Sequence, residues 1–106
     1  MDDSGRIRFD MADQYNEEMF LKEVADTISK EFDKEIIVLE IGEGRYIINF
    51  GEYSLELTKQ MIKKLKTPLA PYKLDRFILE SFEVEGFEFD KRRSEYTREV
   101  FSLFDN

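Results

Sequence analysis

Three apolar runs separated by glycine turns occupy the middle of the chain and leave it few folds to choose from. Residues 35–41 hold Ile36, Ile37, Val38, Leu39 and Ile41, and residues 45–50 hold Tyr46, Ile47, Ile48 and Phe50. Tyr53, Leu55 and Leu57 then alternate with Ser54, Glu56 and Thr58. β-Branched and aromatic residues in runs of this length read as strands, and strict alternation reads as a half-buried one. Gly42-Glu43-Gly44 and Gly51-Glu52 separate the runs. A three-residue loop with glycine in the left-handed position is a standard hairpin connection. Together they predict a three-stranded antiparallel meander with one buried face. Tyr46, Ile48 and Phe50 share a face, as do Tyr53, Leu55 and Leu57.

The flanking sequence has the helical period instead. Phe20, Val24, Ile28 and Phe32 recur every four residues, widened by Leu21 and Ala25, so a first helix is expected from Tyr15 or Asn16 to Phe32. A second, over Thr58–Lys66, turns Met61, Ile62 and Leu65 inward before Pro68 and Pro71 break the pattern. A third starts at Pro71, with Leu74, Phe77, Ile78 and Phe82 on its apolar face and Gly86 as its stop. Residues 82–90 also alternate at period two, so their second half reads equally as helix or strand. A last helix covers Ser94–Phe104. The fold class is α+β: an N-terminal helix, a three-stranded antiparallel meander, then two to three C-terminal helices on one sheet face. Phe20, Val24, Ile28, Ile48, Phe50, Leu55, Ile62, Leu65, Phe77 and Ile78 are expected in its core. Residues 1–14 read as a flexible acidic arm with an edge strand at Arg6–Phe9, and residues 15–106 as a single domain.

Composition narrows the chemistry. None of the 106 residues is cysteine, histidine or tryptophan. That removes disulfides, thiolate nucleophiles, zinc fingers, the commonest general base and the commonest transition-metal ligand. No basic stretch followed by an apolar one begins the chain, and no apolar run approaches the ~20 residues that span a bilayer. A cytoplasmic location is expected. Gly42-Glu43-Gly44 is followed by Ile47 where a dinucleotide fingerprint needs glycine. Carboxylate pairs such as Glu80 with Glu83 or Glu40 with Glu43 arise by chance in so acidic a chain. The sequence predicts no enzyme, no cofactor and no metal site.

Charge is the remaining signal. There are 24 acids and 16 bases, a net charge of −8. Residues 35–57 carry five acids and one base, whereas residues 58–76 carry one acid and six bases. Lys59, Lys63 and Lys66 fall at i, i+4 and i+7 on one helix face, joined by Lys64, Lys73 and Arg76, and this strip would suit phosphates. The plainer alternative is a solvated outer face. Glu80, Glu83, Glu85, Glu88 and Asp90 form, if extended, a regular row of carboxylates able to imitate a nucleic-acid backbone. On the last helix, Tyr96, Val100, Phe101, Leu103 and Phe104 exceed the single stripe a surface helix needs. An exposed patch including Tyr96, Val100, Phe101 and Phe104 would be covered by a homodimer.

No family is recognised from continuous sequence. The order α-β-β-β-α over about residues 16–66 resembles the topology of the double-stranded-RNA-binding domain, with Gly42-Glu43-Gly44 standing where that family carries a Gly-Pro-His-type motif. In size, charge and element order the chain is more similar to small acidic phage anti-CRISPR proteins. That resemblance implies an inhibitor acting on a nuclease's cleft. The function expected is therefore a small acidic non-enzymatic protein-binding module, an inhibitor or regulator of a basic, nucleic-acid-handling protein of phage or mobile-element type, acting by mimicry through the acidic row. The alternatives are nucleic-acid binding through Lys59–Arg76, and a structural protein dimerising through its last helix.

Overall fold

The computed structural model describes Arg8 and residues 14–103. Helix α1 spans Glu17–Phe32. Asn16 caps it by accepting the Met19 amide at 2.8 Å, satisfying one of the free N–H groups of the first turn. Glu17 and Glu18 complement the positive helix end, and Lys30 the negative one. Its stripe of Phe20, Leu21, Val24, Ala25 and Ile28 is buried. Asp33, at φ 50°, turns the chain out of the helix into the sheet.

The sheet runs β1 (Ile36–Gly42), β2 (Arg45–Phe50) and β3 (Tyr53–Thr58), paired in that order and antiparallel throughout. Ile48 stands between Val38 and Leu55, Tyr46 opposite Leu57, and Phe50 opposite Tyr53. Facing residues on antiparallel neighbours share a side of the sheet, so these form the inner face. The first hairpin is shorter than expected. Gly42 pairs with Arg45, so only Glu43 and Gly44 connect the strands, and the register shifts at Ile41. That bulge absorbs the third loop residue, with Gly44 at φ 72°. Gly51, at φ 60°, takes the first position of the second hairpin.

The remaining helices lie over the inner face. α2 covers Lys59–Leu65, capped by Thr58 through the Met61 amide. α3 covers Lys73–Val84, later than the expected start at Pro71, because residues 67–70 make a separate turn closed by a Thr67–Ala70 bridge. Gly86 stops it as expected. At φ 115° it donates to Glu83 O at 3.0 Å, while Phe87 N–H reaches Phe82 O at 3.0 Å. Residues 87–90 are neither helix nor strand. Their alternation turns Phe87 and Phe89 into the core margin and leaves Glu88 and Asp90 exposed.

α4 covers Glu95–Val100, held by a capping box between Ser94 and Thr97. It ends well before Phe104 because Ser102 adopts φ 55° and Leu103 N–H closes on Arg98 O at 2.7 Å.

The core unites the helical stripes with the inner sheet face, and aromatic rings fill one end. Phe50 stacks on Phe82 at 5.3 Å, and Phe32 and Phe87 meet it edge-on. Phe20, Val24, Ile28, Ile48, Phe50, Ile62 and Ile78 are buried as expected, but Leu55, Leu65 and Phe77 are half-buried. Leu74, Ile78 and Phe82 of the expected apolar face of α3 are buried, joined by Leu79, while Phe77 lies at the core margin. The arm expected over residues 1–14 lies outside the described residues apart from Arg8 and Gln14. Of the edge strand expected at Arg6–Phe9 only Arg8 is described, and it is helical and buried.

Candidate partner-binding surfaces

The acidic row does not form as an extended ladder. Glu80 and Glu83 sit on α3, so their carboxylates follow the helical repeat rather than a strand's. Glu80 is bridged by Arg76 at 3.4 Å, and Glu83 by Lys91 at 2.8 Å. Glu85, Glu88 and Asp90 follow, exposed, around the turn at Gly86. Asp90 spends one oxygen on the Arg92 amide at 2.9 Å. The five residues form an irregular acidic margin at the end of α3.

The basic strip is assembled differently from one end to the other. Lys59, Lys63 and Lys64 are exposed on α2 and enter no ion pair among the described residues. Lys66 is half-buried in the turn, and Lys73 is exposed at the start of α3. Arg76 is committed to Glu80 and lies 5.5 Å from the Phe101 ring centre. Beside Lys73 and Arg76, Leu65, Pro71, Tyr72 and Phe77 line an open groove of about 650 Å³.

The apolar patch expected on the last helix is not exposed at the described residues Tyr96, Val100 and Phe101. Val100 and Phe101 are buried, and Tyr96 points inward to donate its hydroxyl to Asp75. Those three are therefore covered by the chain itself and offer no dimer surface. Phe104 lies outside the described residues.

Two features escaped the sequence reading. One is a polar cluster inside the helical layer. Arg8 pairs with Asp75 and donates to Thr27 Oγ1 at 3.2 Å, with its guanidinium 5.1 Å from the Tyr72 ring and 5.8 Å from Phe20. Asp75 is wholly buried. Burial raises its carboxyl above the usual value, against the opposing pull of Arg8 and Tyr96. Burial, then the Asp75 charge, holds the Tyr96 phenol well above its ordinary value. The sequence did carry a hint, because Asp75 precedes Ile78 and Leu79 by three and four residues and so shares their face. This cluster is closed to solvent, so it is a structural lock rather than a place for a ligand.

The other is the outer face of the sheet. Ile37 and Leu39 are exposed there by 45% and 49%, and Ile41 at the bulge by 43%. Ile47 stands opposite Leu39 and is half-buried. The signal was a β1 apolar on both of its faces, although helices cover one. Glu35, Glu40 and Glu43 are exposed around this strand and enter no ion pair among the described residues. The nearby Arg45 is bound to Glu56 at 3.0 Å.

Among the described residues, no group of three or more acidic side chains converges as a cation site would need. No described helix is long and apolar enough to cross a membrane. The chain matches no protein-family model, no curated protein and no solved structure.

Proposed function

We propose that the chain is a non-enzymatic acidic protein-binding module whose partner is a protein with a basic surface, in the manner of an inhibitor or regulator. The observation that carries this reading is how its own cations are used. Arg8 is buried on Asp75, while Arg45, Arg76, Lys91 and Arg93 are paired with Glu56, Glu80, Glu83 and Glu31. Lys34 lies 5.2 Å from the Phe50 ring centre. With these cations engaged internally and a net charge of −8, Glu35, Glu40, Glu43, Glu85 and Glu88 enter no ion pair among the described residues. Such a surface speeds encounter with a cationic protein and repels nucleic acid. The irregular margin from Glu80 to Asp90 supports charge attraction more than imitation of a regular phosphate ladder.

A second reading, nucleic-acid binding, draws on the three unpaired lysines of α2. Affinity capture from the source cells, followed by reconstitution with the purified partner, separates the two. The protein reading expects a stoichiometric complex that dissociates as salt rises, and no mobility shift of DNA or RNA at low salt. Reversing Lys59, Lys63 and Lys64 to Glu should leave that complex intact. A nucleic-acid shift abolished by the same reversal would overturn it.

A further inference from the structure

Among the described residues β1 is a terminal strand, paired with β2. Among the described residues no other backbone group pairs with it. One full side of its N–H and C=O groups is therefore without a backbone partner among the described residues. Natural edge strands are blunted by charged side chains, proline, shortness or a bulge. β1 is seven residues long, lacks lysine and proline, and confines its one charge, Glu40, and its bulge to the hairpin end, leaving Ile36–Leu39 apolar and in regular register. The opposite terminal strand, β3, turns Ser54 and Glu56 outward, whereas β1 turns out Ile37 and Leu39. Arg8 itself is held on Thr27 and Asp75, among the helices.

Charge selects the occupant. Residues 35–57 hold five acids and one base, and that base is already paired. Glu35 precedes the strand, Glu40 lies within it and Glu43 caps the hairpin. A second copy of this chain would bring the same carboxylates and a further −8 to the edge. A strand carrying lysine or arginine between aliphatic residues would instead neutralise them, while its alternate side chains cover Ile37 and Leu39. We infer that the open edge of β1 takes up an extended basic segment of the partner protein as a fourth strand. Backbone hydrogen bonds would supply the register, the apolar face the burial, and Glu35, Glu40 and Glu43 the choice of sequence. This inference rests on the protein-binding reading and specifies how the partner is held.

The test is an NMR titration of the whole chain with a capped peptide of alternating valine and lysine. A matched peptide N-methylated at alternate amides and a valine–glutamate peptide serve as controls. Strand addition expects shifts centred on residues 36–41 and new amide-exchange protection along β1. It also expects affinity at least about tenfold weaker for the N-methylated peptide, for Ile37→Lys/Leu39→Lys, and for Glu35→Gln/Glu40→Gln/Glu43→Gln. The substituted side chains are exposed, so each variant should melt with the parent. Equal binding of the N-methylated peptide, or shifts elsewhere, would overturn strand addition. So would a dimer in sedimentation that protects β1 without peptide. If the reconstituted partner complex survives Ile37→Lys/Leu39→Lys unchanged, the protein-binding reading stands and this inference falls. If no protein complex forms with the unaltered chain, both fall.

Discussion

The guanidinium of Arg8 and the carboxylate of Asp75 meet in the interior across 67 residues of sequence, and neither side chain is more than 4% exposed. The pair fastens Arg8 to α3. It is enclosed by the Tyr72 and Phe20 rings and closed from the far side by Tyr96. Taking two charges out of water costs several kcal/mol per ion, which mutual attraction and added hydrogen bonds offset only when the geometry is complete.

Removing either partner should therefore be severe. Arg8→Ala and Asp75→Ala should each cost about 3–5 kcal/mol, since each strands an uncompensated charge. Arg8→Met with Asp75→Leu should cost much less than the two single changes together. Urea unfolding of the four proteins measures the coupling, and simple additivity would refute the pair.

The Tyr96 phenol gives stability a defined alkaline limit. Its folded-state value is raised, so the folded protein keeps a proton that the unfolded chain gives up above about pH 10. The stabilisation is complete below that pH and lost as pH rises toward the folded value. Tyr96→Phe should cost about 1.5–3 kcal/mol near neutrality, for a hydrogen bond to a charged acceptor, and make the alkaline decline shallower. Tyr46 and Tyr53 are also raised, chiefly by burial, so the decline should persist in part. An unchanged alkaline slope in thermal melts would show that Tyr96 is not buried against Asp75.

In α3, Phe82→Ala should cost about 3–5 kcal/mol and Phe77→Ala distinctly less. Phe82 is fully buried against Phe50, whereas Phe77 lines the open groove, where water refills the space it leaves. Chemical denaturation ranks the two. A larger loss for Phe77 would mean that α3 is rotated from the orientation described.

The contrast between these two phenylalanines shows what local pattern conveys. Period and turn residues are local properties, so the three strands, the Ile48–Leu55 face and the stop at Gly86 were legible. Helical stripes locate a face to within a residue or so, which is why the pattern alone puts Phe77 in the core. What depends on distant partners was not legible. The pairing of Arg8, in the expected arm, with Asp75, the one acid of residues 58–76, has no local signature, because burial requires each to find the other. Ile37 and Leu39 read as ordinary strand residues, because nothing local says which sheet face the helices cover. Val100 and Phe101 of the last helix are buried for a similar reason. A left-handed Ser102 ends that helix early, and Phe101 folds back beneath Arg76 and Lys91.

Asp33 offers a stabilising change. It terminates α1 at φ 50° and ψ 47°, a conformation that costs a non-glycine residue, and it places a negative charge beside the negative helix end. Its side chain is exposed. Asp33→Gly should raise stability by about 0.5–1 kcal/mol, because the left-handed strain exceeds the extra entropy of glycine in the unfolded chain. Thermal melting at two salt concentrations separates conformation from charge, since the charge contribution shrinks with screening. A destabilised variant would mean that the Asp33 side chain supports the turn.

The opposite change is expected at Gly51. There φ is 60°, and an added Cβ would run into Cε and Nζ of Lys34. The lysine stem lies over the hairpin with its ammonium 5.2 Å from the Phe50 ring centre and 6.0 Å from that of Tyr53. Gly51→Ala thus meets two penalties. The left-handed backbone costs about 1–2 kcal/mol. Displacing a partly exposed cation from two rings costs about 0.5–1 kcal/mol more. The lysine can swing into solvent, so the overlap should disturb its position without breaking the hairpin. In a Lys34→Ala background the second penalty is already absent, and Gly51→Ala should then cost only the backbone share. Gly51→Asn, which tolerates the left-handed region better, should fall between glycine and alanine. A double-mutant cycle in urea measures the difference. Equal costs in both backgrounds would show that Lys34 does not lie over this turn, and a neutral Gly51→Ala would show that the hairpin does not use a left-handed residue here.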